Sequence, residues 1–416
     1  MNVPRPQIDI ARLQRELDEL ALISQEPPPV VTRVLFSDAD LRARVYIRNR
    51  CQQSGLVLRE DAVGNIFARW TGRDAARPLV GTGSHIDAIP NAGRYDGVVG
   101  VLGGLEAIRA LKTSGFQPSA GIELLVFTAE EPTRFGIGCL GSRLLTGNLS
   151  LEKAAALRDG EGRSLNDLRA MAGLTGKDLQ QVRLPTGYYS AFVELHIEQG
   201  PLLEQENIPI GVVEKIAAPS TLRVQLTGEG GHAGGMLMPD RHDALLAGAE
   251  LALAVEQAAV SSGSIDTVGT TGVFRIEPGG VNSVPCRAWL EIDFRDTELA
   301  RRDAALERIE ATAGEICRRR GVRLQLERLN ADAPAICDAR LVTTIVQACA
   351  ELGLPARRMI SRAYHDSLFM TQISPAAMIF IPCRGGVSHR PDEYSSPEQI
   401  QHGVEVLALT LARLAG

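Results

Sequence analysis

Within 416 residues there is no apolar run of about 18 residues, the length that crosses a bilayer as a helix, so no transmembrane span is expected. The opening stretch MNVPRPQIDIARLQRELDEL has no apolar core of the kind a secretory signal needs. Cysteine is scarce and scattered: seven residues, at 51, 139, 286, 317, 337, 349 and 383, with no CxxC pair. An odd, dispersed set argues against a disulfide framework and against a thiolate zinc site. The reducing cytoplasm is the expected compartment. A basic excess is also missing. Lys+Arg number 44 and Asp+Glu 50, a net charge of −6, so neither nucleic acid nor an anionic membrane is an expected partner. No internal repeat or low-complexity tract interrupts the chain. What remains is ordinary globular composition, 44% hydrophobic and 23% charged. At roughly 150 residues per domain the length suggests two or three domains, enough to build a core without a metal staple. Histidine is rare, with seven in the whole chain.

Hydrophobic periodicity sets the organisation. Residues 8–24 read as an amphipathic helix on Ile8, Leu13, Leu17 and Leu20. From about 65 to 200, short apolar runs (79–84, 122–127, 192–196) alternate with helical segments (98–111, 142–145), which predicts a mixed, largely parallel α/β sheet. Between 216 and 330 the rhythm changes to strand 221–227, helix 240–260, strands 267–276 and 287–294, helix 298–320 and strand 323–328. That order is the ferredoxin-like split βαβ. The α/β style then resumes with helix 339–352, strand 377–381 and helix 397–414. The expectation is one catalytic domain, 1–215 and 331–416, interrupted by an inserted α+β domain at 216–330.

Polar clusters follow the predicted strands: Gly83-Ser84-His85-Ile86-Asp87, Thr128-Ala129-Glu130-Glu131-Pro132, Glu194-Leu195-His196-Ile197-Glu198-Gln199-Gly200 and Gly386-Val387-Ser388-His389-Arg390-Pro391. Another, Arg94-Tyr95-Asp96-Gly97-Val98, opens a helix. Taken singly, each has a plain structural reading. A histidine after a strand usually packs, an Asp before Gly caps or turns, and Glu-Glu before Pro is commonly a solvated helix start. Jointly they place three imidazoles and several carboxylates at the carboxyl ends of strands, where open α/β sheets form their binding crevice. Buried carboxylates need a cation or a partner. Imidazole and carboxylate without thiolate suit Zn²⁺, Mn²⁺, Co²⁺ or Ni²⁺. We read Asp96 as a bridge, with His85 and His196 on one metal and Glu131 and His389 on the other. Glu130 is left over as general base, and Asp87 as a partner that orients the His85 ring.

Together these motifs resemble the di-metal amidohydrolases of the allantoate amidohydrolase and N-carbamoyl-L-amino-acid hydrolase (hydantoinase/carbamoylase) family, over residues 10 to 414. The resemblance implies an aminopeptidase-like catalytic domain, an inserted lid and dimerisation domain, a homodimer, two divalent ions with Mn²⁺ favoured, and a small-molecule ureide substrate. It implies the same five ligands and Glu130 as catalytic residue. Gly231-His232-Ala233-Gly234 looks like the segment whose His polarises the scissile carbonyl. Gly280-Val281-Asn282-Ser283-Val284-Pro285 and Asp293-Phe294-Arg295-Asp296 look like the substrate-binding segments, with Arg295 able to hold a carboxylate bidentately. A strand-end ion pair of Arg295 with Asp293 or Asp296 is the alternative. Gln199 can hydrogen-bond the ureido amide.

Two departures narrow the substrate. Where most of the group has Gly-Ala-Gly-His-Asp-Ala, this chain has Ala363-Tyr364-His365-Asp366-Ser367, and Gly234-Gly235-Met236-Leu237-Met238-Pro239 replaces Gly-Thr-Thr-Pro-Met. With Ile379-Phe380-Ile381-Pro382-Cys383 they are similar to the ureidoglycolate-cleaving branch, in which that Tyr belongs to the pocket; here Tyr364 and His365 are the corresponding substrate-side residues. A phenol in place of Gly shrinks the pocket and adds a hydrogen-bond donor. The resemblance therefore implies hydrolysis of (S)-ureidoglycolate to glyoxylate, ammonia and carbon dioxide, with allantoate or an N-carbamoyl-L-amino acid as the alternative substrate and a di-metal exopeptidase as a more distant one. His242 and His402 receive no role.

Overall fold

Four apolar strands form the heart of the larger sheet: Leu79–His85, Ile122–Phe127, Tyr189–Ile197 and Ala376–Ile381. Almost every residue in them is buried. That is the composition of parallel strands covered on both faces, and the pairings are parallel: Ala376–Ile381 on Tyr189–Ile197, then Leu79–His85, then Ile122–Phe127. The computed structural model describes residues 6–416; the first five residues of the 1–215 segment lie outside the described residues. Antiparallel strands flank the parallel core. Ile210–Ile216 pairs with Ala376–Ile381, and Ile66–Trp70 with Ile122–Phe127, followed by Val57–Glu60. The sheet is thus mixed, α/β, and largely parallel at its centre.

The chain divides into two compact units. The first holds this sheet and comprises the chain up to Glu214, Ile336–Met359 and His365–Gly416. The second comprises Lys215–Ala335 and Ile360–Tyr364. That five-residue return differs from the 331–416 segment drawn from sequence. It puts Tyr364 in the second unit and His365 in the first.

Helix ends in the first unit follow their side chains. Asp9 caps Ile10–Ala21 by accepting from Arg12 N at 2.9 Å, which starts that helix later than residue 8. Ser396 and Gln399 form a capping box, with Pro397 in the first turn, on Pro397–Ala415. Helix Asp38–Gln53 has no counterpart in the periodicity reading, because its buried face mixes Ala39, Ala43, Ile47 and Cys51 with the charged Asp40 and Arg44. Asp40 and Arg44 are both buried there and pair at 2.8 Å, while the Arg44 guanidinium also donates to Gly64 O at 2.7 Å.

The second unit is an antiparallel sheet in the order Val268–Glu277, Arg287–Asp296, Ala218–Thr227, Arg323–Ala331. With helices Ala244–Val260 and Leu299–Arg320, this is the ferredoxin-like arrangement. Alternate residues (Leu222, Val224, Leu226; Ala288, Leu290, Ile292, Phe294) face the helices and form one core. Each large apolar side chain so buried contributes about 1.5–3 kcal/mol. The expected helix 240–260 begins only at Ala244, because Asp243 caps it and Met238–Asp240 forms a separate 3₁₀ turn. His242 has a structural role, since its Nδ1 lies 2.9 Å from Arg320 O, at the C-terminus of Leu299–Arg320.

Arg33 ties the first unit together beneath the strand that carries His85. Only 1% exposed, it donates to Leu20 O (2.7 Å), Ile23 O (3.0 Å) and Ile86 O (2.6 Å). Burial lowers its pKa to about 10, against the pull of Asp40 and Asp87. Replacing it by Ala strands three carbonyls. Arg33→Ala is expected to lose about 3 kcal/mol or more of stability at roughly 1 kcal/mol per orphaned acceptor, read by urea denaturation; an unchanged midpoint would refute this.

Candidate metal centre

The ends of the parallel strands deliver the polar clusters to one place in the first unit. His85 ends Leu79–His85, Glu130 and Glu131 follow Ile122–Phe127, and His196 lies next to the end of Tyr189–Ile197. Asp96 precedes helix Val98–Thr113. Gly97 between them adopts φ +66°, and a Cβ there would lie 2.4 Å from the His85 ring. Only glycine lets the helix start this close to the imidazole. Ala129, Gln199 and His389 hold positive φ as well (54°, 54° and 60°). Non-glycine residues in that region carry strain, and here they cluster around the polar centre.

The carboxylate of Asp96 faces two ways. Oδ1 lies 3.2 Å from His196 Nε2 and 3.7 Å from His85 Nε2, while Oδ2 lies 3.1 Å from His389 Nε2. Glu131 Oε1 is 3.3 Å from the same His389 nitrogen. Two groups of donors result, His85–Asp96–His196 and Asp96–Glu131–His389, each with its ligand atoms within 4.8 Å of one another. Backbone carbonyls set the tautomers. His85 Nδ1 is 3.1 Å from Asp87 O and His196 Nδ1 is 2.9 Å from Ile197 O. Each Nδ1 therefore carries a proton, and each Nε2 faces Asp96, the His196 Nε2 lying 3.1 Å from Gly97 N as well. The donor set of three imidazoles and two carboxylates, with one carboxylate shared, fits a pair of divalent cations.

The electrostatics point the same way. Burial opposes charge on Asp96, yet hydrogen bonds from His196, His389 and His85 hold it well below the usual carboxylate range. Burial pulls the His85 pKa down, but Glu130, Asp96 and Asp87 raise it well above normal. His389 is pushed up to about 11 by Asp96 and Glu131. This is a buried carboxylate cluster that draws positive charge to itself. Glu130 shifts the opposite way from Asp96. Burial, then Glu131 and Asp366, raise its pKa well above normal, so its carboxyl readily takes up a proton. Its Oε1 lies 3.6 Å from Cys139 Sγ, and its Oε2 lies 3.8 Å from His85 Nε2.

The structure adds detail to several of the residues read from sequence. Asp87 holds the His85 ring through its main-chain oxygen. Its carboxylate, 3.6 Å from Nδ1, instead accepts the N–H groups of Glu130 (3.3 Å) and Glu131 (3.1 Å) and so shapes the loop that carries both glutamates. Gln199 Nε2 donates to Asp96 Oδ2 at 2.8 Å, and its buried Oε1 has no hydrogen-bond partner. His365 is buried, its ring centroid 4.6 Å from that of His196. Glu194, His196 and His365 also converge, but Glu194 accepts the hydroxyls of Ser84 (2.7 Å) and Ser367 (2.5 Å), and His196 Nδ1 is engaged by Ile197. That trio is a brace. Glu393 escaped the sequence reading altogether: buried, its pKa pushed up to about 7 by burial and Asp96, it accepts the Asp96 N–H at 3.1 Å. Its position four residues after His389 was the one available signal.

The remaining residues lie in the second unit. His232 is exposed on a two-stranded ladder opposite Ser283, and Ala233 N donates to Asn282 O at 2.8 Å, so His232 and Asn282 are neighbours. Gly234 N donates to His232 Nδ1 at 3.2 Å, which leaves the ring proton on Nε2. Arg295 makes the ion pair given as the alternative: Nε and Nη2 contact the Asp293 carboxylate at 2.6 and 3.1 Å. Asp296 pairs with Arg301 instead. Tyr364 donates its hydroxyl to Asp332 Oδ2 at 2.9 Å.

Comparison with known proteins agrees with this geometry. The profile of Peptidase family M20/M25/M40 matches residues 81–413. The chain is 53% identical over 414 residues to the ureidoglycolate hydrolase of Arabidopsis thaliana, covering 98% of this chain and 87% of that one. An N-carbamoyl-L-amino acid amidohydrolase of Geobacillus stearothermophilus is 37% identical, covering 97% and 98%. A crystal structure of AtUAH in complex with glyoxylate superposes with a TM-score of 0.93 at 52% identity, covering 99% of both chains. With four-fifths of its length matched by the family profile and relatives this similar along almost all of it, the chain belongs to Peptidase family M20/M25/M40 and is an amidohydrolase of that family.

Proposed function

We propose that the protein hydrolyses the ureido C–N bond of (S)-ureidoglycolate, giving glyoxylate, ammonia and carbon dioxide, at a centre of two divalent cations. The two-faced Asp96, with Glu130 beside it, carries the reading of the chemistry. Identity carries the choice of substrate: 53% to a ureidoglycolate hydrolase against 37% to an N-carbamoyl-L-amino acid amidohydrolase, together with the Tyr364 segment. Asp96 would bridge, with His85 and His196 on one ion and Glu131 and His389 on the other; Mn²⁺ is favoured, and Zn²⁺, Co²⁺ and Ni²⁺ accept the same donors. Bound there, the ions would acidify water and polarise the ureido carbonyl.

The chain's own residues do the rest. Glu130 takes the proton of the attacking water and passes it to the leaving nitrogen, a role suited to a carboxyl whose pKa is raised. Gln199 Oε1 accepts from the ureido amide. His232 donates Nε2–H to the carbonyl oxygen as charge develops on it. Arg295 exchanges Asp293 for the substrate carboxylate, with Asn282 beside it. Tyr364 and His365 are the substrate-side residues of this reading, selecting by size and polarity.

We also propose a homodimer through the second unit. Helix Ala244–Val260 exposes Leu246, Leu253 and Val260 (41%, 66% and 75%) at seven-residue spacing. Val268–Glu277 is an edge strand of the adjoining sheet. An apolar stripe beside a free sheet edge is a natural contact for a second copy. A cytoplasmic location accords with seven unpaired cysteines.

Chelation is expected to abolish ammonia release from ureidoglycolate, and added Mn²⁺ to restore it. Glu130→Gln should lower kcat by about 10²–10⁴-fold while Mn²⁺ content stays at the wild-type level. An active Glu130→Gln enzyme would remove Glu130 from the mechanism, and a clear preference for N-carbamoyl amino acids would remove ureidoglycolate as substrate. Tyr364→Gly should reduce kcat/KM for ureidoglycolate more than for allantoate; equal losses would deny the tyrosine a part in selection. In sedimentation experiments the wild type should run as a dimer and the double variant Leu253→Glu/Val260→Glu as a monomer.

A further inference from the structure

We propose that Glu393 is a positioning residue for the metal centre, its carboxylate locking the loop that carries Asp96 to the loop that carries His389. The inference rests on the reading of Asp96 and His389 as ligands. Glu393 is 4% exposed and touches none of the reacting groups assigned above. Oε1 accepts two backbone N–H groups, from Tyr95 at 2.7 Å and Asp96 at 3.1 Å. Oε2 lies 3.0 Å from the Ser388 hydroxyl, which is itself 2.8 Å from Asp96 Oδ2. One carboxylate thus grips the main chain of Asp96, reaches the Asp96 side chain through Ser388, and does so from within the turn that follows His389.

The Asp96 loop is shaped around this side chain. A Cβ on Gly93 would sit 2.4 Å from Glu393 Cβ and 2.6 Å from Oε1, so the place of a side chain there is taken by the glutamate. The ring of Tyr95 meets that of Tyr394 edge-on, with centroids 6.2 Å apart, next to the same junction. The two loops are nearly 300 residues apart in sequence, and among the described residues no strand pairing joins them. Asp96 must present one oxygen to each donor group, so a small rotation of its loop would disturb both. Hydrogen-bonded partners of this kind orient ligating carboxylates, and their loss is felt in metal affinity.

The test uses the full-length protein, stripped with chelator and titrated with Mn²⁺ against a competing indicator dye, with the melting temperature of each metal-free variant recorded. Glu393→Ala is expected to weaken Mn²⁺ binding by about 10–100-fold. Glu393→Gln should stay much closer to wild type, because an amide oxygen still accepts from Tyr95 and Asp96 and its NH₂ can donate to Ser388. Gly93→Ala, which keeps the carboxylate but crowds it out, should weaken binding too, and it carries the test if Glu393→Ala fails to fold. Wild-type affinity in the Ala variants overturns the proposal. So does an equal loss in Gln and Ala, which would mark simple charge attraction. Failure of the wild type itself to bind Mn²⁺ would instead overturn the metal-site reading.

Discussion

The structure turns on a conflict between burial and charge at the carboxyl ends of four parallel strands. Asp96, Glu130 and Glu131 are all at most 8% exposed, and a desolvated carboxylate is costly unless a cation or donor meets it. Three imidazoles are held with Nε2 inward to meet them. The strained φ of Ala129, Gln199 and His389 and the obligatory glycine at 97 are backbone costs borne to bring these groups together.

That arrangement gives neighbouring carboxyls opposite tendencies. Asp96 is surrounded by nitrogen donors and stays ionised. Glu130 lies among other acids in a dry setting and holds a proton more readily. One can serve as a permanent ligand, while the other can cycle between base and acid. In the proposed mechanism their environments assign the roles, since the functional group is the same.

Support for the centre comes from buried groups around its donors. Arg33 fixes the carbonyl of Ile86, Asp87 gathers the N–H groups of Glu130 and Glu131, and Glu194 joins Ser84 to Ser367 across three segments. In each case a charged side chain satisfies main-chain or hydroxyl partners distant in sequence. Rigidity of the cluster therefore arises from polar contacts inside an apolar sheet.

From sequence alone the strand ends, the ferredoxin-like insertion and the residues gathered at the centre were all readable. Parallel strands are continuously apolar, helices repeat at 3.6 residues, and polar residues that end an apolar run must lie at the rim of the sheet. Helix Asp38–Gln53 hid from that reading, because a buried ion pair and small residues interrupt its apolar face. The parts of Glu393, of the Asp87 carboxylate and of Arg33 were equally hidden, since nothing in the local pattern around a Glu, Asp or Arg tells which distant N–H or carbonyl it will meet. Arg295 looked like a carboxylate fork, and only the fold revealed that Asp293 already occupies it. Periodicity is a property of neighbours along the chain, and so the elements, and the donors they deliver, are written locally in the amino-acid order. Hydrogen-bond partners separated by tens to hundreds of residues become neighbours only after the sheet has closed, and which group holds which is settled there.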